Sequence, residues 1–421
     1  MKRTVAAAGA LALASALLAG CGSSGDTEAS TDGGPVNLTF WHGYTAADGT
    51  KLNEIIDQFN TSQSKVKVSY QVKTWAVIGD TLLPALSAKK GPQLVAMPSE
   101  QLPVYAGKGA FADLDAYYSS SPEAAKISPE AVKLGEVEGK KYAVPTGFVP
   151  LSVVYNKTMF AKAGIKEFPT TWDQWVADAK KLTVDQDGDG TPEQYGLALP
   201  DHQTVANGVW ASLFAGNGGS IAEGTEAALD SPQNVETLRF WSDAVIKDRI
   251  SPTGLDGIKA DGLFSAGKAA MEIGGPWMAG VATENKIDYG LAPIPAGPVA
   301  QVSSAIGVSM GVTAQATEAE RAAATAFFDY FFSRDVAAKW SLGSGWPPLR
   351  TDVPADAVSG NPVVAALTKM APSARPLLPG VVNSTDVLAA VDEATQRALA
   401  GEDPAAALAA AQPKVAEALQ E

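Results

Sequence analysis

Asp185, Asp187 and Asp189 set three carboxylates two residues apart, with Gly190, Thr191 and Glu193 beyond them. Hard oxygen ligands at alternate positions before a glycine suit Ca²⁺, and the run matches the first part of an EF-hand loop. Its twelfth position, where a bidentate glutamate belongs, is Gly196, and the segment that follows reads as a strand rather than a helix. The run is therefore not an EF-hand. It reads either as a structural calcium site (Asp185, Asp187, Asp189, Thr191, Glu193) closed by a carboxylate from elsewhere, or as an acidic, Gly-rich surface turn. Nothing else in the chain requires a cofactor. Catalytic groups are scarce: the two histidines, His42 and His202, fall in separate loops, and Cys21 is the single cysteine. No phosphate-binding loop, His-Glu-x-x-His or Cys-x-x-Cys pattern occurs. A glycoside hydrolase needs only two carboxylates, so a chain with 46 acidic residues is not barred from that class by composition.

The first twenty residues read as a targeting signal. Lys2 and Arg3 precede an uncharged run, Val5 to Leu18, too short to span a bilayer and suited to a secretory signal. Leu18-Ala19-Gly20-Cys21 looks like the lipobox of bacterial lipoproteins, in which the cysteine takes a diacylglycerol and becomes the first residue. The competing reading is ordinary secretory cleavage beside a chance cysteine. A lone cysteine rules out an intramolecular disulfide framework. The core alone must hold the fold, which is easily done at 421 residues, a length that also suggests two domains. Without Lys2 and Arg3 the 32 basic residues fall to 30 against 46 acidic, which argues against nucleic acid and anionic lipid as partners. Residues 22–34 are Gly/Ser/Thr/Asp-rich and read as a flexible tether.

The elements that would position a site follow. Val36 to Trp41 reads as a strand and Asp48 to Phe59 as a helix, with Leu52, Ile55, Ile56 and Phe59 on one face. Val66 to Tyr70 is a second strand, Ile78 to Ala88 a helix, and Gln93 to Met97 a third strand. This alternation is the α/β pattern of a parallel sheet. Ligands of such sheets sit at the carboxyl ends of strands, here Trp41-His42-Gly43-Tyr44 and Ser99-Glu100. Short extended segments flank Thr146 to Pro150, Thr171 is positioned to cap a helix, and a second α/β region runs to about Pro293. Residues 386–419 read as two Ala-rich helices split at Gly401-Glu402-Asp403-Pro404. Two lobes joined by extended segments leave a cleft, a preferred place for small ligands.

Several blocks, in this order, carry a resemblance: Leu38-Thr39-Phe40-Trp41; Pro145; Tyr155-Asn156-Lys157 with Phe160, Ala163 and Gly164; Pro169-Thr170-Thr171-Trp172-Asp173; Asp230-Ser231-Pro232 before Leu238-Arg239-Phe240-Trp241; Phe264 with Gly267-Lys268-Ala269-Ala270-Met271; Gly274-Gly275-Pro276-Trp277; Tyr289-Gly290 with Pro293 and Pro295; Ala326-Phe327-Phe328; and Gly345-Trp346-Pro347-Pro348. Together they resemble the extracellular solute-binding proteins of the maltose-binding type, family 1, which serve ABC importers. The resemblance implies an α/β, two-lobed, periplasmic-binding-protein-like (type II) fold with hinge crossings and a ligand cleft between the lobes. It implies crossings near Thr146–Pro150, Ala292–Ala296 and Gly343–Pro347. The resulting division is signal 1–20, lipidated Cys21 and tether 21–35, N-lobe 36–146 and 293–343, and C-lobe 147–292 and 344–421. The implied partners are a sugar or oligosaccharide, the transmembrane subunits of a permease, and the membrane through the lipid anchor, with the protein itself a monomer. Glycerol phosphate esters or another polyol phosphate are the alternative ligand, with Arg350 and Arg375 as hints. The other classes are a glycoside hydrolase and a lipoprotein that senses or adheres.

A sugar site takes rings to stack on flat C–H faces and polar groups to hold hydroxyls, and the chain has nine tryptophans. The candidates are Trp41, His42, Tyr44, Trp75, Glu100, Phe148, Asp201, His202, Gly275, Trp277, Ser304, Trp346 and Arg350. Each has a plainer reading: core packing for Trp41, Trp75 and Trp277, a solvated carboxylate for Glu100. Trp172, Trp241 and Trp340, inside helices at apolar spacing, read as core, as does Trp210.

Overall fold

In the computed structural model the described residues are 34–44, 47–201 and 208–420. Cys21, the signal and nearly all of the tether, and His202 lie outside them. Strand Val36–His42 pairs in parallel with Val66–Val72 and with Leu94–Pro98. Ser303–Val312 lies antiparallel to Leu94–Pro98 on one side. On its other side it pairs antiparallel with Ala143–Pro150, while Ala374–Pro376 pairs in parallel with residues 303–305 on the same side as Leu94–Pro98. The larger sheet is thus mixed rather than purely parallel. Helix Ala47–Ser62 covers it, with Leu52, Ile55, Ile56 and Phe59 buried as the spacing dictates. Every residue of Ser303–Val312 is buried, as a central strand with both faces covered requires.

The smaller sheet has Ser152–Asn156 between Met271–Gly274 and Tyr289–Pro293, all antiparallel. Helix Trp172–Leu182 begins at Thr171, whose hydroxyl accepts from the Gln174 amide. Trp175 and Trp241 meet edge to face 5.1 Å apart in the core of this side. The expected strand at 195–199 is not one: Tyr195 and Ala198 form single bridges to Ala269 and Glu272. The terminal helices Ser384–Leu399 and Pro404–Gln420 pack on each other and on Pro232–Ile246.

The chain passes between the sheets at Leu151, the one residue separating Ala143–Pro150 from Ser152–Asn156. It returns between Pro293 and Ser303. The stretch expected to cross at 343–347 touches both sides: Trp346 packs over Gly147 and Arg350 bridges to Ile127, while Gly345 meets Pro276 and helix Pro362–Met370 packs on Tyr289–Pro293 and on Ala143–Pro150. Ala374–Pro376 then pairs with Ser303–Val312 of the larger sheet. Among the described residues no helix is long and apolar enough to cross a membrane.

Candidate functional site

Two small adjoining cavities, each with room for about one water, share Glu100, Ala305 and Leu377 in their walls. Glu100 stands just past the carboxyl end of Leu94–Pro98, where an α/β sheet presents ligand groups. The larger cavity adds Ser99, Lys133, Glu136, Gly307 and the run Pro376 to Gly380. The smaller adds Leu151, Gly208 and Ser304. Gly208 precedes helix Val209–Gly216, which packs on Pro232–Ile246. The larger cavity is thus lined by the larger lobe, and the smaller one reaches the junction through Leu151 and Gly208.

Burial pushes the Glu100 carboxyl up to about 7, and its own backbone amide only partly opposes the shift. No cation neutralises it from the walls. The Lys133 ammonium lies 3.0 Å from a Glu130 oxygen, and Glu136 adds a second carboxyl. The Glu100 carbonyl accepts the Ser384 hydroxyl, tying the loop to the first terminal helix. Ser304 is buried, its amide 2.8 Å from the Ser212 hydroxyl.

The other candidates do not line these cavities. Trp41 is buried among Ile78, Val95 and Met97, with Lys73 Nζ 4.4 Å from its ring centre. His42 is fully buried, and its Nε2 is 3.0 Å from Asn53 Oδ1. Burial lowers its pKa, the Asn53 bond opposing. Tyr44 is buried with its hydroxyl on Thr146, and Trp346 is buried against Gly147. Asp201 does not face a ligand space: it is 2% exposed and accepts the Gly254 amide at 2.7 Å. Arg350 is likewise taken up. Its Nε and Nη2 each lie 2.7 Å from an Asp352 oxygen, and its Nη1 reaches Glu123 and the Phe332 carbonyl. It holds the Asp352 carboxyl below its usual range.

Trp75 opens helix Trp75–Ser87, half-buried, with its ring over Gly43. Phe148 is half-buried opposite Gly307 in the strand pairing. Gly275 is buried beneath the half-buried ring of Trp277. Near that ring Asp261 and Glu272 bring two carboxyls together, and burial raises both, Glu272 the more. Of the sequence candidates, the structure thus brings Glu100 and Ser304 together. Lys133, Glu136, Gly208 and Leu377 escaped notice, although the apolar, proline-bounded run Pro376-Leu377-Leu378-Pro379 was a signal available in the sequence.

In the loop, oxygens of Asp185, Asp187 and Glu193 lie within 4.8 Å of one another, all exposed. The same carboxylates accept loop amides: Asp185 those of Gly188 and Gly190, and Glu193 that of Gln186. Asp189 accepts the Thr191 amide at 2.7 Å.

Comparison with known proteins places this geometry. The family model for bacterial extracellular solute-binding proteins matches residues 54–372. The diacetylchitobiose-binding protein DasA of Streptomyces coelicolor is 31% identical over 232 residues, 53% of this chain and 51% of that protein. The sn-glycerol-3-phosphate-binding periplasmic protein UgpB of Brucella abortus is 26% identical over 332 residues, 74% of each. A crystal structure of an ABC transporter solute-binding protein from Thermotoga lettingae, bound with α-D-tagatose, superposes with a TM-score of 0.79. It is 24% identical and covers 91% of this chain and 100% of that one. Two α/β lobes, a chain that passes between them through paired strands and a small cavity that reaches their junction belong together, and the chain is a member of the bacterial extracellular solute-binding protein family.

Proposed function

We propose that this protein is the substrate-binding lipoprotein of an ABC importer, capturing a sugar or oligosaccharide between its lobes and delivering it to a membrane permease. The observation that carries the reading is the family match over residues 54–372, with Glu100, Ser304, Gly208 and Leu377 gathered near the junction where the lobes meet. A carboxylate among apolar and small side chains accepts ligand hydroxyls, and Leu377 and Leu378 give a flat apolar face to C–H surfaces. The ligand closes the lobes through contacts that are better in the closed form, the form the permease accepts. The protein binds and does not catalyse. Cys21 anchors it to the outer face of the cell membrane as a monomer. A calcium ion held by Asp185, Asp187 and Glu193 belongs to the same proposal, as a stabiliser of the loop.

A neutral ligand fits better than a phosphate ester. Arg350 is committed to Glu123 and Asp352, and the cavity walls contribute two carboxyls and a lysine already engaged. The test is thermal melting against mono- and oligosaccharides, diacetylchitobiose, D-tagatose and sn-glycerol 3-phosphate. A solute at about 100 times its dissociation constant adds roughly 2.7 kcal/mol, a shift of a few degrees. Shifts confined to sn-glycerol 3-phosphate would overturn the sugar reading and leave the importer reading standing.

A further inference from the structure

The strands Ala143–Pro150 and Ser303–Val312, which adjoin the first two passages between the lobes, are paired with each other. Their ladder has one irregularity. Gly147 faces Val308 and Pro145 faces Ser309, which leaves Thr146 as an extra residue. A bulge of this kind bends the ladder and tightens its twist locally.

Thr146 is fully buried, and each of its side-chain and carbonyl oxygens has a partner. Its Oγ1 lies 3.0 Å from the Val308 carbonyl and 2.7 Å from the Tyr44 hydroxyl. A carbonyl only accepts, so Thr146 donates to Val308 and Tyr44 donates to Thr146. The Thr146 carbonyl accepts the Trp340 indole N–H at 2.8 Å. The Trp346 ring lies flat on Gly147, where a Cβ would come within 2.4 Å of it. Tyr44 meets Trp340 and Trp346 edge to face at 5.6 and 6.5 Å. Tyr44 follows the first strand, and Trp340 sits on helix Arg334–Ser344, packed on Ala47–Ser62. All these partners belong to the larger lobe. Four residues after Gly147 comes Leu151, where the smaller lobe begins.

We propose that Thr146 is the fulcrum of lobe movement: the relay from Tyr44 through Thr146 to Val308, closed by Trp340 and Trp346, clamps the bulge to the larger lobe and sets the angle at which the smaller lobe leaves it. The relay gives partners to the Val308 and Thr146 carbonyls at the bulge, the ladder holds the strand in the larger sheet through Pro150, and bending falls at Leu151 beyond it. Tyr44 and Thr146 act here as positioning residues. The inference uses the two-lobed fold alone and does not depend on which solute is carried.

The experiment measures the distance between spin labels on the two lobes, without ligand, in the full chain. Exposed Lys67 and Lys166 are replaced by cysteine for labelling, with Cys21→Ser removing the native thiol. Tyr44→Phe and Thr146→Val each delete one hydroxyl at nearly constant volume. Each is expected to shift or broaden the interlobe distance distribution, and the pair together to do no more than either alone, because they break one relay. Thr146→Ser, which keeps the hydroxyl, is expected to restore the wild-type distribution. A purely structural role would lower the melting point and leave the distances unchanged. Wild-type distributions in both Tyr44→Phe and Thr146→Val would overturn the proposal, and if Thr146→Val fails to fold, Tyr44→Phe decides it alone.

Discussion

Replacing Glu100 by Gln separates the two things this carboxyl does. Its ordinary value is 4.5 and burial raises it to about 7. Below pH 4.5 the folded and unfolded chains both hold the proton, and the carboxyl costs nothing. Between 4.5 and 7 the folded chain keeps a proton that the unfolded chain has released, so stability falls as pH rises. Above 7 the cost is complete. The gap corresponds to about 3 kcal/mol at one pH unit per 1.36 kcal/mol. Gln has similar shape and no charge. Glu100→Gln is therefore expected to be more stable than wild type by about 2–3 kcal/mol at pH 8 and by about 0.8 kcal/mol at pH 5. Urea unfolding of both proteins at the two pH values reads this directly. The same variant is expected to lose most of the ligand-induced melting shift, because an amide accepts hydroxyls less strongly than a carboxylate. A carboxyl that weakens the fold and strengthens binding marks a functional site. Equal stability of wild type and variant at pH 8 would refute the burial argument. A variant more stable yet fully ligand-responsive would keep that argument and remove Glu100 from the site.

Arg350→Met is expected to lower stability by about 1–3 kcal/mol, discounted from the fully buried case because Glu123 and Asp352 are about one-third exposed. Its ligand response should stay as in wild type, and a selective loss of response in the melting panel would return Arg350 to the site. His42 carries an acid sensitivity of opposite sign to that of Glu100. Its folded pKa lies below 6.5, so the stability it allows is complete above 6.5 and is lost as pH falls below that value; His42→Asn should flatten the decline in urea midpoint between pH 6.5 and 5. Calcium added to chelator-treated protein at about 100 times its dissociation constant is expected to add roughly 2.7 kcal/mol, and Asp185→Asn with Asp187→Asn should abolish the gain. An unchanged calorimetric melt would make the loop a self-capped turn.

Local pattern accounts for what was legible before the structure. Helix Ala47–Ser62 buries the residues its spacing nominated, and Thr171 caps the helix it precedes. The two terminal helices break at the anticipated Gly401 to Pro404. Long periodic segments declare themselves because one face must be apolar. Nothing local in 343–350 records that Trp346 finds Gly147 or that Arg350 finds Glu123, 227 residues away, so the partners of this stretch were not legible. The 195–199 segment looks like a strand by composition but makes only single bridges.

Tyr44 and Trp346 pack on the chain itself, for a reason that bears on the mechanism. A ring at the end of a strand next to small residues can stack on a ligand or on the chain itself, and sequence does not separate the two. Tyr44, Trp340 and Trp346 converge on residues 146–147. A glycine leaves room for an indole there just as it would leave room for a ligand. Satisfaction of the polar atoms separates some of the cases and leaves Trp41 and His42 open, since Trp41 Nε1 and His42 Nδ1 are buried without a partner. Tyr44 and Trp340 spend their donors on Thr146, Asp201 accepts the Gly254 amide, and Arg350 is filled by two carboxylates and a carbonyl. The Glu100 carboxyl has only its own backbone amide to offset its burial, in the walls of cavities near the junction of the lobes. A group held in that condition needs donors from outside the chain, and hydroxyls are donors that leave the lobes free to part again. In the proposed function the rings hold the bulge while the Glu100 carboxyl meets the ligand, so hinge and site would fall on different residues and could be changed separately.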